Sequence, residues 1–143
     1  MNIFVLDEDP SVAAQYHADI HINKMILESA QMLCTVYGGP YKPTHKNHPC
    51  TRWVAESEAN AYWLKALACH LNEEAKLRYG KSADHKSWDV IASLNIRDRG
   101  VLTPWAQAMP EELRSTDAVQ AYRSYYRTKP NMRWAYTEEP DWF

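Results

Sequence analysis

The chain is organised around residues 17–31, which read HADIHINKMILESAQ. In a helix of 3.6 residues per turn, five polar side chains of this segment fall on one stripe, at i, i+4, i+7, i+11 and i+14. They are His17, His21, Lys24, Glu28 and Gln31. Apolar residues flank this stripe and cover the opposite side of the helix, so we predict a helix whose surface is mostly buried.

A row of polar groups on a buried helix must find partners, because an unpaired buried polar group costs roughly 1–3 kcal/mol. We therefore interpret the stripe as the wall of a polar pocket. Imidazole, amine and carboxylate groups perform proton transfer and nucleophilic attack near neutral pH, so His17, His21, Lys24 and Glu28 are candidate catalytic residues. The alternative is a structural network, in which Lys24 pairs with Glu28 and the histidines bond to the backbone.

Length and composition restrict the class of protein. With 143 residues the chain is expected to form one domain, and its net charge of −2 gives no overall attraction to nucleic acid. Three cysteines, an odd number without a C-x-x-C pair, indicate reduced thiols. No apolar run approaches the roughly 20 residues that span a bilayer, and an acidic cluster stands where a signal peptide would be basic. We expect a cytoplasmic protein without a membrane partner, and the oligomeric state stays open.

Helix start and stop signals predict a mainly α fold, a single-domain orthogonal helix bundle over residues 1–143. Asp9 and Pro10 begin a long first helix that runs to about Val36, where two glycines and a proline stop it. Pro49 begins a long second helix that ends at Gly80. Shorter helices are expected at 82–94, capped by Ser82, and at 119–126, capped by Ser115 or Thr116, and the rest of the C-terminal segment is irregular. Residues 2–6 form either a short buried strand or an extended arm.

The loop between the two long helices is free of acidic residues and carries His45, Lys46 and His48. It leads into the amino end of the second helix, where unpaired backbone amides favour an anion such as phosphate. We therefore add His45 and His48 to the candidate catalytic residues and Lys46 to the candidate nucleic-acid-binding residues. The alternative is that both histidines are ordinary surface residues of a loop.

Two other basic segments are candidate contacts to nucleic acid. Residues 118–137 contain no acidic residue and interleave arginine and lysine with tyrosine and tryptophan. Aromatic rings can stack on bases while basic side chains hold phosphates, although a tyrosine-rich helix packed on the core would look the same. A second basic cluster follows residue 77. The predicted nucleic-acid-binding residues are Lys46, Arg78, Lys81, His85, Lys86, Arg123, Tyr126 and Arg127.

Three of these segments together carry a resemblance. The first-helix pattern, the loop Thr44-His45-Lys46-Asn47-His48-Pro49 and Arg78-Tyr79-Gly80-Lys81 are similar to a family of small uncharacterised proteins common in tailed-phage genomes. More distantly, the order of parts resembles the phage pyrimidine-dimer DNA glycosylases of the endonuclease V type. Residues 15–17, the helix that ends in Arg-Tyr-Gly and the segment 122–126 carry this second resemblance. It implies an all-helical domain that processes DNA in a phage-infected bacterial host.

The chain departs from those glycosylases at two points. They attack the sugar through a free N-terminal amine, whereas bulky Asn2 predicts that Met1 is retained. Their catalytic glutamate on the first helix would fall near Lys24. We therefore expect Lys24 to supply the amine, since burial among neighbouring cations favours its neutral form. Glu28 would then act as the acid and base, with His17 or His21 as a proton shuttle.

Three functions stay open at this stage. The first is an enzyme that acts on DNA or a nucleotide, as a glycosylase or a base-modifying enzyme, and that flips a base out of the duplex to reach it. The second is a metalloenzyme with a divalent metal on His17, His21 and His48, in which Glu28 or His45 could also be ligands. The third is a non-catalytic accessory protein that binds a nucleotide, nucleic acid or another protein. Apart from that alternative metal, we expect no cofactor.

Overall fold

Six α-helices and one 3-10 turn make up the regular structure in the computed structural model, which describes residues 1–143. The helices are α1 (Pro10–Tyr16), α2 (Asp19–Tyr37), α3 (Pro49–Glu56), α4 (Glu58–Tyr79), α5 (Lys86–Ala92) and α6 (Ala118–Arg127), and the 3-10 turn is Glu111–Leu113. There is no strand, which confirms the mainly α class. None of the helices is both long and apolar enough to cross a membrane.

Helix α4 lies at the centre and packs against α1, α2, α3 and α5. Its Leu64, Leu67 and Leu71 are fully buried and recur at helical spacing. Residues 2–6 at the amino terminus are buried too, and they form an arm without regular secondary structure rather than a strand. The arm joins the same hydrophobic core, and this places it beside α2 and α6.

The predicted continuous first helix is wrong, because the chain turns a corner between α1 and α2. His17 and Ala18 adopt extended backbone conformations with ψ of 134° and 156°. The carbonyl groups of Gln15 and His17 accept hydrogen bonds from the Arg78 guanidinium at 3.0 and 2.7 Å. The Ala18 amide donates to the Tyr126 hydroxyl at 2.8 Å. Side chains of α4 and α6 thus form hydrogen bonds with backbone groups at the corner that have no partner within a helix.

A second break divides the predicted second helix. Ser57 is extended, and its hydroxyl accepts a hydrogen bond from the Asn60 amide to begin α4. The other signals for the two long helices hold: Asp9 caps α1, Pro10 and Pro49 stand in the first turns of their helices, and Gly80 ends α4 with φ of +64°. A left-handed conformation of this kind is readily adopted by glycine.

The caps of the two short helices differ from the prediction. Helix α5 is capped by His85, whose Nδ1 accepts a hydrogen bond from the Ser87 amide at 3.0 Å, rather than by Ser82. Helix α6 is capped by Asp117 rather than by Ser115 or Thr116. Helix boundaries depend on which neighbouring side chain reaches the free amides, so several candidates in one loop are equivalent from the sequence.

Candidate functional site

A small polar pocket lies where the amino-terminal arm, α2 and the end of α6 meet. Its volume is about 130 Å³. Its lining consists of Met1, Asn2, Phe4, His21, Lys24, Met25, Glu28, Tyr125 and Lys129. Helix α2 supplies His21, Lys24 and Glu28 at i, i+3 and i+7, so three of the five side chains of the predicted stripe do share one cavity. His17 and Gln31 are not among its residues.

The Glu28 carboxylate is held by the amino-terminal arm. Glu28 is buried, and its Oε1 accepts a hydrogen bond from the Asn2 amide at 3.0 Å. The Met1 nitrogen lies 3.2 Å from the same oxygen. Asn2 is held in turn, because its side-chain amide donates to the Ala108 carbonyl at 3.0 Å and its Oδ1 accepts from Tyr122 at 3.0 Å. Oε2 of Glu28 makes no hydrogen bond and is not sealed in the core, so it is free to exchange a proton with a bound group.

Two lysines border the pocket, and neither has a carboxylate partner within ion-pair distance. The Lys129 ammonium lies 4.3 Å from the centroid of the Tyr125 ring and 5.3 Å from that of Phe4, which are cation–π distances. Lys24 is exposed. The predicted burial of Lys24 is therefore wrong, and the alternative Lys24–Glu28 ion pair does not form. Both ammonium groups are available to a bound anion.

His21 is buried between the ring of Phe4, stacked at a centroid distance of 4.7 Å, and the hydroxyl of Tyr126. Its Nδ1 lies 2.7 Å from that hydroxyl oxygen. Burial, with the nearby charges of His17, Lys129 and Lys24, lowers the pKa of His21 to about 3. The imidazole is therefore neutral at physiological pH. Its Nε2 has no hydrogen-bond partner and is not sealed in the core, so it is open to the pocket.

His17 lies outside the pocket, at the corner between α1 and α2. Its Nδ1 donates to the Ala13 carbonyl at 2.7 Å, and its Nε2 is buried without a partner. Burial lowers the pKa of His17 to about 4. The predicted role of His17 as a proton shuttle is wrong for this arrangement, because residue 17 is not helical and its ring turns into the core.

The two loop histidines do not enter the pocket, contrary to the prediction of one shared cavity. Nδ1 of His48 accepts a hydrogen bond from the Cys50 amide at 3.1 Å and so caps α3. Burial lowers the pKa of His48, and the negative charge of Glu28 opposes this effect. His45 is exposed, with a left-handed φ of +50°. His48 thus lies within electrostatic influence of Glu28 but serves the backbone of α3.

Two of the predicted nucleic-acid contacts are buried. The guanidinium of Arg78 is inaccessible and is paired with Asp19 at 3.1 Å and Glu74 at 3.0 Å, in addition to its two backbone acceptors. Tyr126 is completely buried, with its hydroxyl at the corner. Neither can reach a phosphate or a base in this conformation, so both residues are corrected to structural roles. Sequence composition does not distinguish a buried arginine from a solvated one.

The two arginines of α6 that were predicted as contacts, Arg123 and Arg127, differ in how many of their hydrogen-bond donors stay accessible. Arg123 donates from Nε to the Leu6 carbonyl at 2.9 Å and pairs with Asp7 at 3.2 Å, so it anchors the arm to α6. Arg127 is exposed, although its Nε donates to the Trp142 carbonyl at 2.8 Å. Arg127 keeps accessible donors, whereas Arg123 is largely committed to the fold.

The basic cluster after residue 77 forms a separate surface depression of about 330 Å³. It contains Lys81, His85 and Lys86, together with the Lys76–Asp84 ion pair. Lys46 is exposed in the loop before α3 and belongs neither to this depression nor to the pocket. The predicted basic residues therefore lie on more than one surface rather than on one continuous strip.

The structure does not assemble the alternative metal site. No group of three histidine, cysteine, aspartate or glutamate side chains lies together in a way that could hold a metal ion. His17 and His48 each use Nδ1 for the backbone, and His17 Nε2 is sealed in the core. The residues proposed as ligands are therefore not grouped in this conformation, and a metal on them stays a prediction.

Sequence reasoning missed Asn2, Phe4, Tyr125 and Lys129 as members of the site. Tyr125 and Lys129 belong to the acid-free segment 118–137 and stand at i, i+4, which is a signal for one shared surface. The arm carries no comparable signal, because a short apolar run does not reveal what it packs against. Comparison with protein-family models, curated proteins and solved structures found no match to this chain.

Proposed function

We propose that the protein is a DNA- or nucleotide-processing enzyme of the glycosylase or lyase type, with Glu28 as its acid and base and Lys24 as its amine nucleophile. One observation carries this proposal. A lysine ammonium without a carboxylate partner and a carboxylate with one free oxygen line the same cavity. An amine and a proton-transfer group in reach of one bound atom are the minimum for imine chemistry.

The size of the pocket supports a substrate that enters only in part. A volume of about 130 Å³ is below the roughly 300–1,000 Å³ that holds a drug-sized ligand. One sugar or one base edge would fill it, and the rest of a nucleotide or DNA strand would lie outside. Exposed Lys24 and half-buried Lys129 stand at the boundary between the cavity and the surface, where they can attract the phosphates that flank a reacting sugar.

In the proposed reaction the Glu28 carboxylate first takes a proton from the Lys24 ammonium, and the neutral amine so formed attacks the aldehyde carbon of an abasic deoxyribose. A carbon–nitrogen bond forms, and the aldehyde oxygen leaves as water after taking one proton from the amine and one from Glu28. The ionised Glu28 then removes a proton from the neighbouring carbon, and the phosphate at the next carbon departs. With its low pKa, neutral His21 does not exchange protons in this sequence.

The test is borohydride trapping on a DNA duplex with a single abasic site. Wild-type protein should give a covalent adduct whose mass-mapped peptide contains Lys24, and Lys24→Ala should lose it. Glu28→Gln should slow strand scission by about 10²–10⁴-fold, the usual contribution of a general acid or base. Lys42→Ala is the matched control, an exposed lysine outside the pocket and not among the predicted contacts, and should react as wild type does. An adduct on Lys129 or on the Met1 nitrogen would remove Lys24 from the nucleophile role, and no adduct at all would overturn the proposal.

A non-catalytic binding function is the second candidate. It is favoured by the two ammonium groups that lack carboxylate partners, because these can hold an anion without any chemistry. A binding protein would retain DNA or nucleotide on a filter in a salt-dependent way, yet give no trapped adduct and no strand scission. The trapping assay and the binding assay together therefore separate the two functions.

A further inference from the structure

The hydroxyl of Tyr126 determines which nitrogen of His21 carries the proton. This hydroxyl is completely buried and has two neighbours within hydrogen-bond distance, the Ala18 amide at 2.8 Å and His21 Nδ1 at 2.7 Å. The Ala18 amide can only donate, so the hydroxyl oxygen accepts there. The single hydroxyl proton then has one available acceptor, Nδ1 of His21. A neutral imidazole that accepts at Nδ1 carries its proton on Nε2.

The opposite tautomer and the charged form of His21 both leave a buried donor without an acceptor. In each of them Nδ1 would donate to the Tyr126 oxygen, and the hydroxyl proton would have no partner inside the core. A buried hydroxyl proton without an acceptor is energetically unfavourable. The low pKa of His21 agrees with this count of donors and acceptors.

The charged and titratable groups around His21 give the pocket the character of an anion site. Lys24 stands on α2, Lys129 follows α6, and His17 lies at the corner, where burial keeps its imidazole neutral. Glu28 is the acidic residue of the pocket, and its Oε1 is already bonded to the Asn2 amide. Three donors therefore face the cavity with no protein acceptor: the imidazole Nε2–H and two ammonium groups.

We infer that Tyr126 is a positioning residue that presents His21 as a neutral hydrogen-bond donor, and that this donor and Lys129 hold a phosphoryl oxygen of the substrate. A phosphate oxygen accepts hydrogen bonds and carries a negative charge that pairs with the Lys129 ammonium. The choice of a phosphate ester rests on the proposed function. The same chemistry would serve a free nucleotide or the phosphodiester of a nucleic acid.

The tautomer is tested by nitrogen-15 NMR of the histidine side chains. Wild-type His21 should show a protonated Nε2 and an unprotonated Nδ1, and it should stay neutral down to pH 5. Tyr126→Phe removes the hydroxyl and should shift both nitrogen signals towards the mixed tautomers of a free imidazole. Tyr125→Phe is the matched control, because the hydroxyl of this neighbouring pocket residue makes no hydrogen bond to His21, and it should leave the signals unchanged.

Two results would overturn the positioning role. One is a wild-type His21 protonated on Nδ1, which requires no variant and so holds even if Tyr126→Phe fails to fold. The other is a folded Tyr126→Phe protein whose His21 signals match those of the wild type. A purely structural tyrosine would change stability without changing the tautomer, so the NMR signature separates the two roles.

The phosphoryl site is tested by titration with inorganic phosphate at constant ionic strength, followed by thymidine monophosphate and a short single-stranded oligonucleotide. Each should shift the His21 Nε2 signal in a saturable way, and Lys129→Met should weaken binding about tenfold, as expected for one charge-assisted contact. Tighter binding of the oligonucleotide than of the monophosphate would assign the phosphate to nucleic acid, and the reverse order would assign it to a free nucleotide.

No saturable shift with any probe would overturn the site. Phosphate binding without a trapped adduct would refute the proposed lyase and leave this inference standing, and an adduct without phosphate binding would do the opposite.

Discussion

The corner between α1 and α2 and the pocket one to three turns farther along α2 are both polar, but their hydrogen bonding differs. At the corner, Arg78 and Tyr126 satisfy the backbone groups that leave the helix. In the pocket, Glu28 Oε2, His21 Nε2 and two lysine ammonium groups have no hydrogen-bonding or ionic partner in the protein. Satisfied buried groups hold a fold together, whereas unsatisfied groups in an open cavity are available to a ligand.

The largest expected effect is at the corner. Arg78→Ala removes a buried cation that pairs with Asp19 and Glu74 and holds two carbonyl groups. Breaking a buried ion pair from one side costs about 3–5 kcal/mol, so the variant should lose that much free energy of unfolding in urea denaturation. Lys81→Ala, an exposed substitution after α4, should stay within about 0.5 kcal/mol of wild type. Equal stability of Arg78→Ala and wild type would mean that the corner does not depend on this network.

The second effect is a loss of stability in acid. The pKa of His17 is lowered to about 4 in the folded protein from an ordinary value of about 6.5 when unfolded. The unfolded state therefore binds the proton first, and the free energy of unfolding falls as the pH drops from about 6.5 to about 4. The contribution reaches roughly 3 kcal/mol at most, and His17→Gln should remove up to about 1.4 kcal/mol per pH unit from the slope.

Urea denaturation between pH 7 and pH 4.5 measures this slope. The control is His45→Asn, at an exposed position whose left-handed backbone asparagine tolerates, and it should keep the wild-type slope. An unchanged slope in His17→Gln would show that this imidazole is solvated rather than sealed at the corner.

The smallest effects are expected in the pocket. Lys129→Ala removes cation–π contacts with Tyr125 and Phe4 and should cost about 0.5–1 kcal/mol of unfolding free energy. Lys24→Ala should cost less than about 0.5 kcal/mol, because its ammonium has no protein partner. Both losses are read from thermal or urea unfolding at low and high salt. If Lys24→Ala lowered the free energy of unfolding by 2 kcal/mol or more, Lys24 would have a structural role, and the pocket would not differ from the corner in the way described above.

Much of the fold follows from short-range signals that the sequence displays. Asp9 and Pro10 begin α1, Pro49 begins α3 and Gly80 ends α4, since caps and backbone restrictions act over three or four residues. The same local rules place His21, Lys24 and Glu28 on one face of α2. These three residues are the part of the candidate site that helical spacing predicts.

The rest of the site depends on contacts between residues far apart in the chain. Asn2 meets Glu28 across 26 positions, and Tyr126 meets His21 across 105. No local pattern encodes these pairs, because the arm and α6 reach α2 only through the packing of the shared core. The same reason explains why Arg78 and Tyr126 were expected on the surface and lie inside.

The sequence by itself determined a mainly helical chain, most of its helix ends and a polar face on α2, because these depend on hydrogen bonds and side-chain spacing within one or two turns. Tertiary structure decided that the first helix breaks at His17 and Ala18, and that His17 turns inward while His21 opens to a cavity. The physical reason is that a backbone group leaves a helix only where another part of the chain supplies its hydrogen bond. Here those parts are Arg78 and Tyr126.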